Sequence, residues 1–243
     1  MLKLSRYKEN MKQNGITQEA QEKLLQTKVV VMGVGGLGSG VAMNLAALGV
    51  GCIKVVDDGI VQETDLNRQL IHKYKNISRA RVISAKDWIQ EYNPDIKVEI
   101  EKIKLNELNY FNVIQGCDIM VDCFDSYESK YVLNEIAVRH KIPLIHAGIQ
   151  ATNAQVTTIY SPKTGCLECV MQKPRLFKNE QNASLSPICS VVSSLQAMEV
   201  LKLITGIGEP LFNKLLIYDA LKSEFKTIEF AKNQYCSCCA VEY

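Results

Sequence analysis

From Lys28 onward the chain alternates short apolar runs with longer amphipathic stretches. "KVVVMG" from residue 28, "CIKVVDD" from 52, "IKVEIEKI" from 96, "DIMVDCFD" from 118 and "IPLIHAG" from 142 are short and rich in β-branched residues, which predicts strands. Helical spacing of apolar positions predicts helices over residues 37–48, 78–92, 106–115 and 128–139. The second of these ends before Asn93-Pro94, because the residue ahead of a proline is pushed out of the helical region. Strands alternating with helices predict an α/β fold with a mainly parallel sheet, flanked by helices joined through right-handed crossovers. Two helical segments precede it, residues 5–13 and residues 17–26, with Thr17 as the cap of the second.

After Ala151 the pattern changes. "ATNAQVTTIYSP" alternates as a half-buried strand does, a helix is expected over residues 187–205 with Gly206 and Gly208 closing it, and "KLLIYDA" and "FKTIEFA" add two more strands. Residues 173–186 are polar with few apolar anchors and read as a mobile crossover loop. The division expected is a helical arm over 1–27, a first α/β half over 28–150 and a second half over 151–243, with no internal repeat.

Residues 29–53 carry no charged side chain, a stretch long enough to raise the question of a membrane span. Its glycines at 33, 35, 36, 38, 40, 49 and 51 suit a strand, a turn and a packed helix instead, so no membrane is expected. A net charge of +2 gives no global field for a polyanion, and no nucleic-acid partner is expected. The opening "MLKLSRYKEN" lacks the apolar stretch of a secretory signal, which predicts a cytoplasmic chain. Nine cysteines in such a chain stay reduced and read as metal ligands or reactive thiols before disulfides.

Gly33, Gly35 and Gly38 form a G-x-G-x-x-G between a strand and a helix, the setting of a phosphate-binding turn. Asp57, at the end of the second strand, is placed to accept hydrogen bonds from ribose hydroxyls. These features fit a dinucleotide and ATP equally. "ETDLNRQL" then sets Asp65, Asn67, Arg68 and Gln69 just beyond that strand, and a cation there suits a triphosphate, unless Arg68 only pairs with a surface carboxylate. At the end of the fourth strand, "VDCFDS" offers Asp125 as a Mg²⁺ ligand bridging carboxylate and phosphate, with Asp122 capping or pairing structurally.

"CLEC" supplies Cys166 and Cys169, and "CSCC" supplies Cys236 and Cys239. Two C-x-x-C pairs in a reduced chain read as a tetrahedral zinc site, the alternative being a redox dithiol. Cys52, Cys117 and Cys123 read as buried small hydrophobes, and Cys189, near the start of the long helix, as either a packed thiol or a nucleophile. His72, His140 and His146 show no metal-ligand spacing and take no assigned role.

Glycine loop, Asp57, "LNRQ", "DCFD" and the paired knuckles, with "SLQAMEVLKLITG" (194–206) and "LLIYDALKSEF" (215–225), together resemble the MoeB/ThiF/HesA family, bacterial relatives of ubiquitin-activating enzymes. The resemblance implies a Rossmann-like domain whose zinc-stabilised C-terminal half continues the sheet with antiparallel strands, usually in a homodimer. It implies adenylation by ATP of the C-terminal carboxylate of a ubiquitin-like sulfur carrier ending in Gly-Gly, for molybdopterin, thiamine or related biosynthesis, with a cysteine desulfurase as a further partner. A specialised enzyme adenylating a peptide or metabolite and a non-catalytic binding subunit stay open as alternatives. By this resemblance Gly36 joins the phosphate turn, Asp57 accepts the ribose, Arg68 is a phosphate cation and Asp125 holds Mg²⁺. Arg81 stands where the family pattern has a lysine and is expected to act beside Arg68 at the nucleotide, with Asp65 and Asn67 among the nucleotide contacts. Further departures are Gly59 in place of an acidic residue, Asp65 in place of asparagine, and Glu9 in place of an arginine that reaches the partner subunit's site.

Overall fold

The apolar run at residue 28 becomes an inner strand because both of its faces are covered. In the computed structural model, which describes residues 4–161, 163–171 and 184–240, β1 (Lys28–Met32) turns Val29 and Val31 toward one core and Val30 and Met32 toward the other. A strand buried on both faces reads as a continuous apolar run with no alternation. The remaining strands are β2 (Cys52–Val56), β3 (Lys97–Glu101), β4 (Ile119–Asp122), β5 (Leu144–Gln150), β6 (Asn153–Ile159), β7 (Lys214–Asp219) and β8 (Glu224–Glu229). They form one sheet in the order β3-β2-β1-β4-β5-β6-β7-β8. Pairings from β3 through β5 are parallel and those from β5 through β8 antiparallel, as expected for an antiparallel extension of a parallel half. Chain order runs outward from β1 to β3 on one side and through β4 on the other. Such a reversal opens a crevice beyond the C-terminal ends of β1 and β4.

The helices are α1 (Gln18–Gln26), α2 (Gly36–Leu48), α3 (Arg81–Tyr92), α4 (Tyr110–Ile114), α5 (Tyr127–His140), α6 (Leu167–Met171) and α7 (Ser186–Thr205). One core joins α1, α2, α3 and α7 to the sheet through Leu24, Leu45, Ile89 and Val200; the other joins α4, α5 and α6 through Val113, Leu133 and Leu167. Among the described residues α7 alone is long and apolar enough to cross a membrane, but it packs on α1, α2, β5 and β6 as a core helix. Thr17 caps α1, its Oγ1 accepting from the Ala20 amide at 3.2 Å, and Gly206 ends α7 at φ +74°.

Local chemistry overrode periodicity at three places. Residues 5–13 form two short 3₁₀ turns, Leu4–Tyr7 and Asn10–Lys12, with Tyr7 their only buried residue, too little apolar surface to carry a helix. The helix expected from residue 78 starts at Arg81: Ser78 has φ +71° and donates its amide to Val61, and Ala80 bridges to Ile60. The helix expected over 106–115 shrinks to α4 because the Asn106 side chain takes the amides of Leu108 and Asn109 at 2.9 and 3.2 Å. Residues 173–183 of the expected crossover loop lie outside the described residues, and Ser186 already belongs to α7.

Candidate active site

The crevice holds a cleft of about 370 Å³ whose floor is the glycine loop. Gly33 turns the chain out of β1 at φ +89°, and a side chain there would also sit 2.9 Å from the carbonyl of Cys123. A Cβ on Gly38 would lie 1.9 Å from the Gly33 carbonyl, so the first turn of α2 rests directly on the strand end. Packing does not demand glycine at Gly35: a Cβ there would meet only the Gln69 amide, at 3.7 Å. Gly35 N-caps α2 and lines the cleft, leaving the helix's first amides and their partial positive charge facing open space. Gly36 makes room for the Cys189 thiol, which a Cβ would approach to 2.9 Å.

Asp57, Arg68 and Arg81 line the same cleft. Both oxygens of Asp57 accept backbone amides, Oδ2 from Val34 at 2.8 Å and Oδ1 from Gly59 at 2.7 Å, which fixes the carboxylate over the glycine loop. Arg68 donates Nη1 to the Thr64 carbonyl at 3.0 Å and to Asn67 Oδ1 at 2.9 Å. Asp65 and Asn67 do not line the cleft. Asp65 is a buried hub that accepts from the Gln62 amide, Gln69 Nε2 and Arg81 Nη2 at 3.1, 2.8 and 2.8 Å, and exposed Asn67 braces Arg68. Glu9 pairs with Lys12 at 2.6 Å on the surface.

Asp125 lies at the cleft wall just past β4, where Asp122 shapes its approach. Asp122 is fully buried; its Oδ1 accepts the Phe124 amide at 3.1 Å, while Lys130 Nζ lies 3.2 Å from both oxygens and His146 Nδ1 lies 2.7 Å from Oδ2. Burial pushes this carboxyl up, but Lys130 and His146 outweigh it and hold it below its ordinary range. Burial lowers His146 against the pull of Asp122, so the ring is neutral, donates from Nδ1 and presents Nε2 to the Gln155 amide 3.4 Å away. His72 is likewise lowered by burial and ties Val34 of the glycine loop to Ser84, through contacts of 3.2 and 2.9 Å. Sequence reasoning missed Lys130, His146 and His72. One signal was there for Lys130: it shares a helical stripe with Leu133, Asn134 and Ala137, and all four are buried.

Cys189 Sγ faces the cleft beside Gly36, and burial pushes its thiol up, against the Ser184 hydrogen bond and Arg68; it is a neutral packed thiol.

The two cysteine knuckles meet on the far side of α5. The sulfurs of Cys166, Cys169, Cys236 and Cys239 all lie within 4.8 Å of one another, with Cys166–Cys236 at 3.6 Å and Cys169–Cys239 at 3.5 Å. Thiolates about 2.3 Å from a tetrahedral zinc stand about 3.8 Å apart, so this donor set fits the ion. Asn134 of α5 joins the knuckles, accepting the Leu167 amide at 2.9 Å and donating to Cys238 Sγ at 3.3 Å. Cys238 also hydrogen-bonds Cys166 but is not one of the four clustered sulfurs.

The family model described as "ThiF family" matches residues 7–238. The SAMP-activating enzyme E1 of Haloferax volcanii is 33% identical over 246 residues, covering 97% of this chain and 88% of its own. The sulfur carrier protein adenylyltransferase of Thermus thermophilus is 32% identical, covering 98% and 92%. Among solved structures, MccB of E. coli with ATP superimposes with a TM-score of 0.88 at 26% identity, over 98% of this chain and 75% of that one. With a loop, carboxylates and arginine gathered at the sheet's crevice and a match along nearly its whole length, the chain belongs to the ThiF family and is an adenylyltransferase of the MoeB/ThiF type.

Proposed function

We propose that this protein uses ATP to adenylate the C-terminal carboxylate of a small ubiquitin-like sulfur carrier ending in Gly-Gly. The observation that carries the reading is the convergence of Gly35, Asp57, Arg68 and Asp125 on one cleft at the sheet's reversal point. The open amides of the glycine loop cradle the phosphates, and Asp57, locked by two backbone amides, accepts from the ribose. Arg68 neutralises phosphate charge. A magnesium ion held by Asp125 would add charge neutralisation on the phosphates. The carrier's carboxylate oxygen attacks the α-phosphorus, the bond to the β-phosphate breaks, and pyrophosphate leaves with its electron pair. A carboxylate is already nucleophilic at neutral pH, so no general base is required and catalysis rests on alignment and charge. Zinc, held by Cys166, Cys169, Cys236 and Cys239, would brace the second half away from the chemistry. A homodimer and a cysteine desulfurase partner belong to the same reading.

ATP–pyrophosphate exchange in the presence of a Gly-Gly carrier tests it. Arg68→Ala or Asp125→Ala is expected to lower exchange by about a hundredfold or more with the fold intact by circular dichroism. No exchange with any Gly-Gly carrier, while Mg-ATP binds, overturns the carrier. That outcome would favour adenylation of a peptide carboxylate, the reading supported by the likeness to MccB, which has been crystallised with N-formylated MccA.

A further inference from the structure

A second cavity, of about 620 Å³, shares no lining residue with the nucleotide cleft. It opens at the other end of the sheet, beside the residues that lead into β4 and β5 and those that follow β6. α7 reaches both: Cys189 borders the cleft and Leu203 the cavity, about 20 Å apart along the helix axis. Ile119, Leu203 and Ile204 give the cavity apolar walls, and the Tyr160 and Phe212 rings stand 6.4 Å apart at 31°. Its volume is that of a site for a small organic molecule.

Three lysines and one carboxylate border this cavity. Lys23 and Lys202 have duties of their own. Each lies in the last turn of its helix, where a cation offsets the dipole, and they pair with Glu19 at 2.9 Å and Glu199 at 2.5 Å. The carboxylate, Asp118, accepts the Lys28 amide at 2.8 Å. Lys163 differs. Among the described residues no carboxylate pairs with its ammonium, which lies 5.2 Å from the centre of the Tyr160 ring. A cation left unengaged beside aromatic and aliphatic walls complements a ligand with an apolar body and one negative head. A polyphosphate fits poorly, because α1 and α7 both border the cavity with their C-terminal turns, whose partial negative charge repels it. We propose that this cavity is a second ligand site and takes an organic monoanion with an aromatic or alicyclic body, its head group on Lys163 and its body against Phe212 and Leu203.

The test measures affinity by calorimetry for 2-naphthoate, its neutral amide and the cationic 2-naphthylmethylamine in the full-length protein and in Lys163→Gln, Phe212→Ala and Arg68→Ala. Wild type should bind the carboxylate about fivefold or more tighter than the amide, the scale of an ion pair at a partly open site, and the amine least. Lys163→Gln should erase the preference for the carboxylate and leave affinity for the amide unchanged. Phe212→Ala should weaken carboxylate and amide alike, and Arg68→Ala, in the nucleotide cleft, should change neither. Lys163 is exposed and belongs to neither core, so its variant keeps the fold and its readout stands even if Phe212→Ala unfolds the chain. Equal affinity for the three probes in wild type, or an undiminished preference in Lys163→Gln, overturns the proposal. Loss of carboxylate binding in Arg68→Ala would put the probe in the nucleotide cleft and overturn it as well. Failure of wild type to bind any of the three would make the cavity a surface hollow and not a site.

Discussion

One sheet runs through the molecule, but its centre and its β8 edge are held by different means. Around β1, β4 and β5 the strands are covered on both faces, and the polar groups that enter that core, Asp122, Lys130, His146 and His72, are hydrogen-bonded to one another or to the backbone. At the edge, β8 is exposed at all six positions, and the chain beyond it is tied back by Cys236 and Cys239 meeting Cys166 and Cys169. The cleft is shaped by its own core, whereas at the β8 edge the chain is drawn back by four clustered cysteines. A rigid cleft therefore does not require a well-covered sheet throughout.

Removing zinc from the proposed four-cysteine site should separate the centre from that edge most strongly. A structural zinc contributes on the order of 10 kcal/mol to small domains that rely on it. Chelation, or Cys166→Ser, is expected to raise amide exchange through β7 and β8 while β1 and β4 stay protected; equal loss across the sheet would erase the contrast. Lys130→Ala is the reciprocal perturbation. It leaves buried Asp122 without its cationic partner, supported only by the Phe124 amide and His146, at a cost of about 3–5 kcal/mol, and should lower the unfolding midpoint with the cysteine cluster unchanged. The smallest effect is that of pH. His146 and His72 are both lowered below 6.5 by burial, so the unfolded chain binds more protons than the folded one between their folded values and 6.5. Their stabilisation is complete above that range and falls as pH drops through it, by about 1.4 kcal/mol per pH unit for each group. Denaturant titrations from pH 7.5 downward should show this slope, and His146→Asn should reduce it.

The strands and the glycine loop were legible because their signals are local: a run without charge, a turn only glycine can make, two C-x-x-C spacings. The placement of Asp57, Arg68 and Asp125 on one cleft depended on where strand ends fall, and chain order supplied that. What stayed hidden depends on residues far apart in the chain. His146 meets Asp122 across 24 positions, and Arg81, which opens α3, reaches Asp65 across 16. Side-chain competition hid the rest, as at Asn106, where a turn displaced half a helix.

The separation of the two knuckles also orders events during synthesis. Cys166 and Cys236 stand 70 residues apart, so Cys166 and Cys169 leave the ribosome as half a site. By then β1–β6 have already emerged, whereas α7, β7 and β8 have not. A zinc ion bound there, as proposed above, would therefore find its site complete only after β7 and β8 had emerged, as one of the last events in building the sheet.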